Sequence, residues 1–137
     1  MQRLFLVLAC VLTAGGCTSS DSDRQQLTGE VTFDGRAVPS GVIFFDPDAS
    51  KGHDGRQGVA KIVDGKFDTR SSGKGVSGGH YIARITGFDS QPGAAPSTPL
   101  FHEYRVEVEI TPESAEMKFD VPAGAAADVA PTPNLGI

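Results

Sequence analysis

The sequence predicts an all-β fold, a β-sandwich built from seven short strands. The 17 glycines and 9 prolines are scattered along the 137 residues, so no helical period lasts three turns. Several short runs alternate apolar and polar residues, which is typical of strands with one buried face. Two of these runs end at Asp34-Gly35 and Asp64-Gly65. Asp-Gly suits a two-residue hairpin turn because both central positions require a positive φ.

The first predicted strand covers residues 27–33, which alternate with period two before the Asp34-Gly35 turn. After a short arm, residues 42–45 (Val-Ile-Phe-Phe) are apolar in succession and end at Asp46-Pro47. A strand that is apolar on both sides is expected to be covered on both faces. We therefore place residues 42–45 in a central strand whose outer face is covered by a loop, or in a strand near the edge of a sandwich.

A second hairpin of the same design follows, with strands at residues 59–63 and 66–69 joined by Asp64-Gly65. Residues 80–88 (HYIARITGF) form the next predicted strand. Its alternation places Tyr81, Ala83 and Ile85 on one face.

The last two predicted strands complete the sandwich. Residues 104–111 alternate cleanly, with Tyr, Val, Val and Ile facing inward and charged residues facing outward. A turn at residues 112–115 leads to residues 116–121, which return with their apolar side chains on the core side. We interpret this pair as a third hairpin, and the seven strands with turns between them as two packed sheets.

Residues 1–16 have the composition of a signal peptide. Arg3 gives a positive start, and residues 4–14 form an apolar run that is too short to span a bilayer. The run Ala-Gly-Gly-Cys at residues 14–17 resembles the lipobox of bacterial lipoproteins, although Ala14 stands where Leu is usual. The resemblance implies that the thiol of Cys17 receives a diacylglycerol, that the leader is cut before it, and that the new N-terminus is acylated, for example with palmitate. The alternative is an ordinary signal peptide in which Cys17 is incidental.

The segment boundaries follow from composition. We predict a lipoprotein signal peptide at residues 1–16, a flexible polar tether at 17–26, a β-sandwich at 27–122 and a disordered Ala/Pro-rich tail at 123–137. The only cysteines are Cys10, in the leader, and Cys17. The predicted domain therefore contains no disulfide and no thiolate metal site.

The formal net charge of −5 and the lack of a basic run argue against nucleic acid as a partner, because such binding depends on Lys and Arg neutralising phosphates.

The loop at residues 46–58 has acidic residues at alternate positions. It carries Lys51 and Gln57 where a calcium loop needs Gly and Glu, so we expect no calcium there. Residues 70–79 contain Gly-Lys without the spacing of a phosphate-binding loop.

Histidine and tyrosine give no clear catalytic or metal site. His53, His80 and His102 lack ligand spacing, so we expect no metal and no cofactor. Tyr81 and Tyr104 are similar to the iron ligands of intradiol dioxygenases, but both fall on apolar faces, which favours core packing. The serines lack a Gly-x-Ser-x-Gly context. We therefore predict no catalytic residues.

The order of motifs resembles carboxypeptidase regulatory-like, or transthyretin-like (prealbumin-like), domains. The run GEVTFDGRAVPSGVIFFDP at residues 29–47 is similar to the opening of that family, DGKF at 64–67 to its second hairpin, and GGHYIA at 78–83 to a later strand. Glu103-Tyr104 and the strand after it are similar to the close of small lipoproteins carrying one such domain. The resemblance implies a seven-stranded Greek-key sandwich and leaves activity open. The family's hydroxyisourate hydrolases end in Tyr-Arg-Gly-Ser, which this chain lacks.

These observations favour a lipid-anchored, non-enzymatic domain of the cell envelope. Its expected partners are a membrane, through the lipid on Cys17, and an envelope protein; its role would be structural or protein-binding. The alternative is a small-ligand or carbohydrate-binding module whose site would need the loops at residues 46–58, 70–79 and 89–99 to gather at one end. A third and weaker hypothesis is a hydrolase-like enzyme.

Overall fold

The computed structural model describes residues 24–95 and 97–128. The strands in this part are β1 (Thr28–Phe33), β2 (Arg36–Ala37), β3 (Ser40–Pro47), β4 (Gly58–Val63), β5 (Lys66–Asp68), β6 (Gly73–Lys74), β7 (Gly79–Phe88), β8 (Pro99–Ile110) and β9 (Glu116–Val121). A one-turn helix, α1 (Thr69–Ser72), follows β5, and 3₁₀ helices cover Ala49–Lys51 and Ala123–Asp128. The predicted all-β class is confirmed. Each of the seven predicted strands overlaps one of these, and the two-residue strands β2 and β6 are additional.

The strands form one curled, mainly antiparallel sheet. Its order is β2-β1-β5-β4-β3-β7-β8, with β6 paired to β4 and β9 paired to β1. The curl brings two halves of the sheet face to face. The ring centroid of Phe45 in β3 lies 6.3 Å from that of Phe67 in β5 and 6.5 Å from that of Phe119 in β9. The apolar side chains of both halves therefore meet in a single core.

Both Asp-Gly turns have the predicted geometry. Asp34 and Asp64 each have φ 51°, and Gly35 and Gly65 each have φ 75°. The closing pairs are Phe33 with Arg36 and Val63 with Lys66. Aspartate tolerates the left-handed region and glycine adopts it at no steric cost, so the two hairpins form from local sequence alone.

The predicted third hairpin is wrong. β8 and β9 are consecutive in the chain, but β9 pairs in parallel with β1 along its whole length, from Thr28 opposite Glu116 to Phe33 opposite Val121. The turn at residues 112–115 therefore carries the chain across from one half of the sheet to the other. This route lets β9 cover the core, where Phe119 and Val121 are buried.

β3 is central, as the apolar run at residues 42–45 predicts, because it pairs with β4 on one side and β7 on the other. Ile43 and Phe45 point into the core and are fully buried. Phe44 points outward, and the Arg84 guanidinium lies 5.2 Å from its ring centroid. The predicted core face of β7 is confirmed, since Tyr81, Ala83 and Ile85 are all fully buried.

The folded region begins earlier than predicted. Gln25 forms a two-way backbone pair with Val76, with N–H to carbonyl distances of 2.7 and 3.0 Å. The Gln25 amide also donates to the carbonyl of Thr111 at 2.8 Å. Residues 24–26 therefore belong to the domain and not to a flexible tether. The remaining tether residues, 17–23, lie outside the described residues, as do the predicted leader and Cys17.

The first six residues of the predicted tail at residues 123–137 belong to the fold. Ala123–Asp128 forms a 3₁₀ helix, and Ala125 is buried against the core. Alanine can cover apolar surface at little side-chain entropy cost. The prediction of disorder from the Ala/Pro-rich composition did not take this into account. Residues 129–137 lie outside the described residues.

Candidate functional site

The sheet has two ends with different construction. The tether end comprises residues 24–26, the loop 48–57, the segment 69–78 and the turn 111–115, because Pro47 pairs with Tyr81 and Gly79 with Ile110. The turn end comprises both Asp-Gly turns, the loop 89–98 and the 3₁₀ helix Ala123–Asp128, since Ser40 pairs with both Val63 and Phe88. The three loops proposed as a ligand site thus do not gather: two meet at the tether end and the third lies at the turn end.

The loops of the tether end meet around His53. Its ring packs edge-on against Tyr81 with centroids 4.6 Å apart. The Tyr81 and Ser77 hydroxyls lie 3.0 Å apart, and the Tyr81 hydroxyl approaches the carbonyl of Arg56 at 3.4 Å. A side chain on Gly79 would meet the His53 ring at 2.6 Å, so this glycine allows the ring to pack. The cluster joins the loops 48–57 and 69–78 to β7.

This cluster lacks the arrangement of a hydrolytic site. His53 Nε2 is buried and has no hydrogen-bond partner in the part of the chain that the structure describes. The Ser77 hydroxyl is paired with Tyr81, so no bond links this serine to a histidine base. A serine nucleophile needs such a base within hydrogen-bond reach. The geometry therefore favours a packing role for His53, Ser77 and Tyr81.

The other candidate ligands lie apart. His80 pairs with Glu109, while His102 lies beside Thr86 across the β7–β8 pair, six residues or about 20 Å further along the sheet. Residues 24–95 and 97–128 contain no group of three or more His, Cys, Asp or Glu that could hold a metal ion. Tyr81 is buried in the core, and Tyr104 is half-buried against it, as the apolar faces predict.

The most connected charged cluster lies on the outer face of β3, β7 and β8, around Arg84. Its guanidinium pairs with Asp46 through Nε and with Glu103 at 2.8 Å through a terminal nitrogen. Gln57 from the loop 48–57 donates to the other Asp46 oxygen at 2.5 Å. Burial would raise the pKa of the Asp46 carboxyl, but the hydrogen bonds from Arg84 and Gln57 outweigh it and lower that pKa below the usual value of 3.8.

Glu103 reaches Arg84 through a bulge that the sequence did not reveal. The register of β7 and β8 shifts between Ile85 and Gly87, where β8 carries an extra residue. Glu103 has φ 50°, and its N–H donates to the Thr86 hydroxyl at 3.1 Å. A positive φ is unfavourable for a non-glycine residue, so the side-chain contacts with Arg84 help to hold this conformation. Bulges commonly redirect a side chain in this way.

A basic pocket lies at the tether end. It measures about 150 Å³ and is lined by Arg24, Gln26, Thr69, Arg70, Gly73, Lys74 and Gly75. The Arg24 guanidinium donates to the carbonyl of Gly75 at 2.8 Å. The three cations of this pocket, Arg24, Arg70 and Lys74, are separated by 46 and 4 positions in the sequence. They therefore form no basic run that sequence analysis could detect. The backbone pair between Gln25 and Val76, two residues after β6, brings them together.

An apolar pocket of about 380 Å³ lies at the turn end, between the loop 89–98 and the outer faces of β3 and β4. Val63 in its wall is 44% exposed and is the one exposed large hydrophobic residue in the described ranges. The Gln91 amide donates to the Asp64 carboxylate at 3.0 Å, which holds the loop over the turn. The sequence marks this loop only by its Pro, Gly and Ala content.

The described residues include no helix long and apolar enough to cross a membrane. Comparisons with protein-family models, with curated proteins and with solved structures found no match to this chain.

Proposed function

We propose that this chain is a bacterial lipoprotein, anchored to a membrane of the cell envelope by lipid on Cys17. Its folded domain would be a non-enzymatic, seven-stranded Greek-key sandwich of the transthyretin-like, carboxypeptidase regulatory-like kind. Its role would be structural or protein-binding on the periplasmic or outer side of that membrane.

One observation supports the proposal: Arg24, only seven positions after the cysteine of the lipobox-like run, already belongs to the fold, because its guanidinium donates to the carbonyl of Gly75. A domain this close to Cys17 would stay beside the membrane surface once the cysteine is acylated. Two acyl chains or more anchor a protein stably, whereas one chain anchors it only marginally.

The sheet supports the sandwich assignment. Without the two-residue strands β2 and β6, seven strands remain, in the order β9-β1-β5-β4-β3-β7-β8. The aromatic contacts from Phe45 to Phe67 and Phe119 join the two facing halves. Two sheets that share one core in this manner are the basis of a β-sandwich.

Fractionation of cells expressing the full chain tests the anchor. The native chain should sediment with membranes and gain the mass of a diacylglycerol and an N-terminal acyl chain, whereas Cys17→Ser should be released without added mass. Cys10→Ser is the matched control, because that cysteine lies in the predicted leader, and it should behave as the native chain does. A Cys17→Ser protein that remains in the membrane fraction would refute the proposal.

A second candidate function, small-ligand binding, is favoured by the turn-end pocket. Its volume of about 380 Å³ falls within the range of about 300–1,000 Å³ typical of ligand sites. An apolar fluorescent dye, anilinonaphthalene sulfonate, should bind the native domain and lose affinity in Val63→Asp. The control Ser71→Asp adds the same charge at an exposed position of α1, away from the pocket. If the native protein and Val63→Asp bind the dye equally well, the turn-end pocket is excluded as the ligand site.

A further inference from the structure

We infer that the basic pocket formed by Arg24, Arg70 and Lys74 binds the phosphate group of an anionic phospholipid in the membrane that carries the chain. The inference rests on the proposed lipid anchor at Cys17 and assigns the surface of the domain that faces the bilayer. It concerns a site that the sequence alone does not reveal.

The pocket has a fixed framework. The Thr69 hydroxyl accepts a hydrogen bond from the Leu27 N–H at 2.9 Å and donates to the Gln26 side chain at 2.8 Å. Thr69 is 1% exposed and Leu27 is fully buried. Arg24 is held against the wall by the carbonyls of Gly75 and Gln57, at 2.8 and 3.4 Å. Hydrogen bonds within the fold therefore fix the positions of Thr69 and Arg24 in the lining of the pocket.

Two glycines bring the walls together. A Cβ at Gly73 would lie 1.8 Å from the Val59 carbonyl oxygen, and a Cβ at Gly75 would lie 2.3 Å from that of Gln25. Only glycine allows backbone to approach backbone so closely at these positions. Lys74 stands between them and is exposed, as is Arg70, which also lines the pocket. The cations thus converge on a space of about 150 Å³, which is large enough for a phosphate group.

Charge selects an anion and orients the domain. The chain carries a formal net charge of −5, so an anionic membrane repels most of its surface. A local concentration of positive charge on such a domain defines one preferred face toward that membrane. Arginine binds phosphate oxygens through paired N–H donors, and lysine adds a compact charge.

The chain outside the structure sets the reach of this face. Six residues separate Cys17 from Arg24. Fully extended, the seven steps from Cys17 to Arg24 span at most about 25 Å. A lipid on Cys17 would therefore keep the pocket within reach of the phosphates of neighbouring lipids. This proximity favours a membrane phosphate over a soluble one.

The experiment uses residues 18–137, which lack both Cys17 and the predicted leader. All of the described core, from Leu27 to Ala125, lies within this part. Cosedimentation is measured with vesicles of phosphatidylcholine and with vesicles that also contain phosphatidylglycerol. We expect binding to the anionic vesicles only. The triple variant Arg24→Gln, Arg70→Gln, Lys74→Gln should bind about 100-fold more weakly, given the effect of each basic residue near an anionic surface.

The matched control is Arg36→Gln, Lys61→Gln, Lys66→Gln, which removes the same charge from exposed positions at or near the turn end. It should retain vesicle binding within a few-fold. Equal losses in the two triple variants would overturn the inference, because binding would then follow total charge. If the first triple variant fails to fold, the double variant Arg70→Gln, Lys74→Gln tests the same point and should lose about 10-fold or more.

Two further outcomes separate this inference from the proposed anchor. If the native residues 18–137 do not bind phosphatidylglycerol vesicles, the pocket does not bind phospholipid and the inference is overturned, even if Cys17 is acylated in cells. Binding with the expected charge dependence would support it, even if Cys17 is not acylated. In a second experiment, inorganic phosphate is titrated while the amide NMR signal of Gly75 is followed. If phosphate saturates the pocket but the protein does not bind vesicles, the ligand is a soluble anion and the assignment of a phospholipid is overturned.

Discussion

The turn end and the tether end of the sheet are closed by contacts of different range. At the turn end, Asp34-Gly35 and Asp64-Gly65 each join neighbouring strands through a two-residue turn with the same φ angles. At the tether end, the joining contacts connect residues far apart in the chain, such as Gln25 with Val76 and His53 with Tyr81. The difference teaches that one end can form early from local sequence, while the other requires most of the chain to be in place.

The largest expected effect comes from removing the tether-end ring that joins two loops. Tyr81→Ala should lower the free energy of unfolding by about 3–5 kcal/mol, because a fully buried aromatic side chain leaves a cavity. Urea unfolding measures the loss. Tyr104→Ala, in which the ring is half-buried, is the control and should cost less. Equal costs would mean that the tether end does not depend on Tyr81.

The next effect concerns the hydrogen bond between Leu27, near the first described residues, and Thr69 of α1. Thr69→Val keeps the shape of the side chain but leaves the buried Leu27 N–H without the hydroxyl that it now meets at 2.9 Å. The free energy of unfolding should fall by about 1–3 kcal/mol. Amide hydrogen exchange should rise at residues 24–28 while the turn end stays protected. Ser71→Ala, at an exposed position of α1, should change neither measurement.

The two turns of the turn end differ in one testable respect. Gly35→Ala meets no atom within 4 Å, whereas a Cβ at Gly65 would lie 2.7 Å from the Ala37 Cβ. Both substitutions place alanine at φ 75°, which costs about 1 kcal/mol. Gly65→Ala should therefore destabilise more than Gly35→Ala in thermal unfolding. The reverse order would show that the contact between the two hairpins is not retained in solution.

The smallest effect is a pH dependence of the charged cluster around Arg84, which Gln57 links to the loop 48–57 of the tether end. The lowered pKa of Asp46 in the folded state means that its pairing with Arg84 adds stability above the unfolded pKa of about 3.8, and that this stability is lost as the pH falls through the folded value. The contribution should be about 1 kcal/mol or less. Urea unfolding between about pH 6 and pH 2.5 should show a shallower acid loss for Asp46→Asn. An unchanged acid loss would contradict this role.

The same contrast explains how much the sequence predicts. The positions of the seven strands and of both Asp-Gly turns follow from period-two patterns and turn chemistry, which act over a few residues. The parallel pairing of β9 with β1 has no local signal, because it depends on a crossover between distant segments. The bulge at Glu103 is likewise hidden, since the alternation of β8 reads correctly only from Tyr104 onward. The basic pocket depends on such long-range pairing and was therefore missed.

The parallel ladder of β1 and β9 has a mechanical consequence. β1 follows the first described residues, and β9 precedes the last ones, with six residues of each strand paired side by side. Tension between the two ends of the domain would pull these strands in opposite directions along their length. The hydrogen bonds of the ladder would then share the load in shear and break together, instead of opening one at a time. A domain pulled from its N-terminal side would resist extension through this pair of strands.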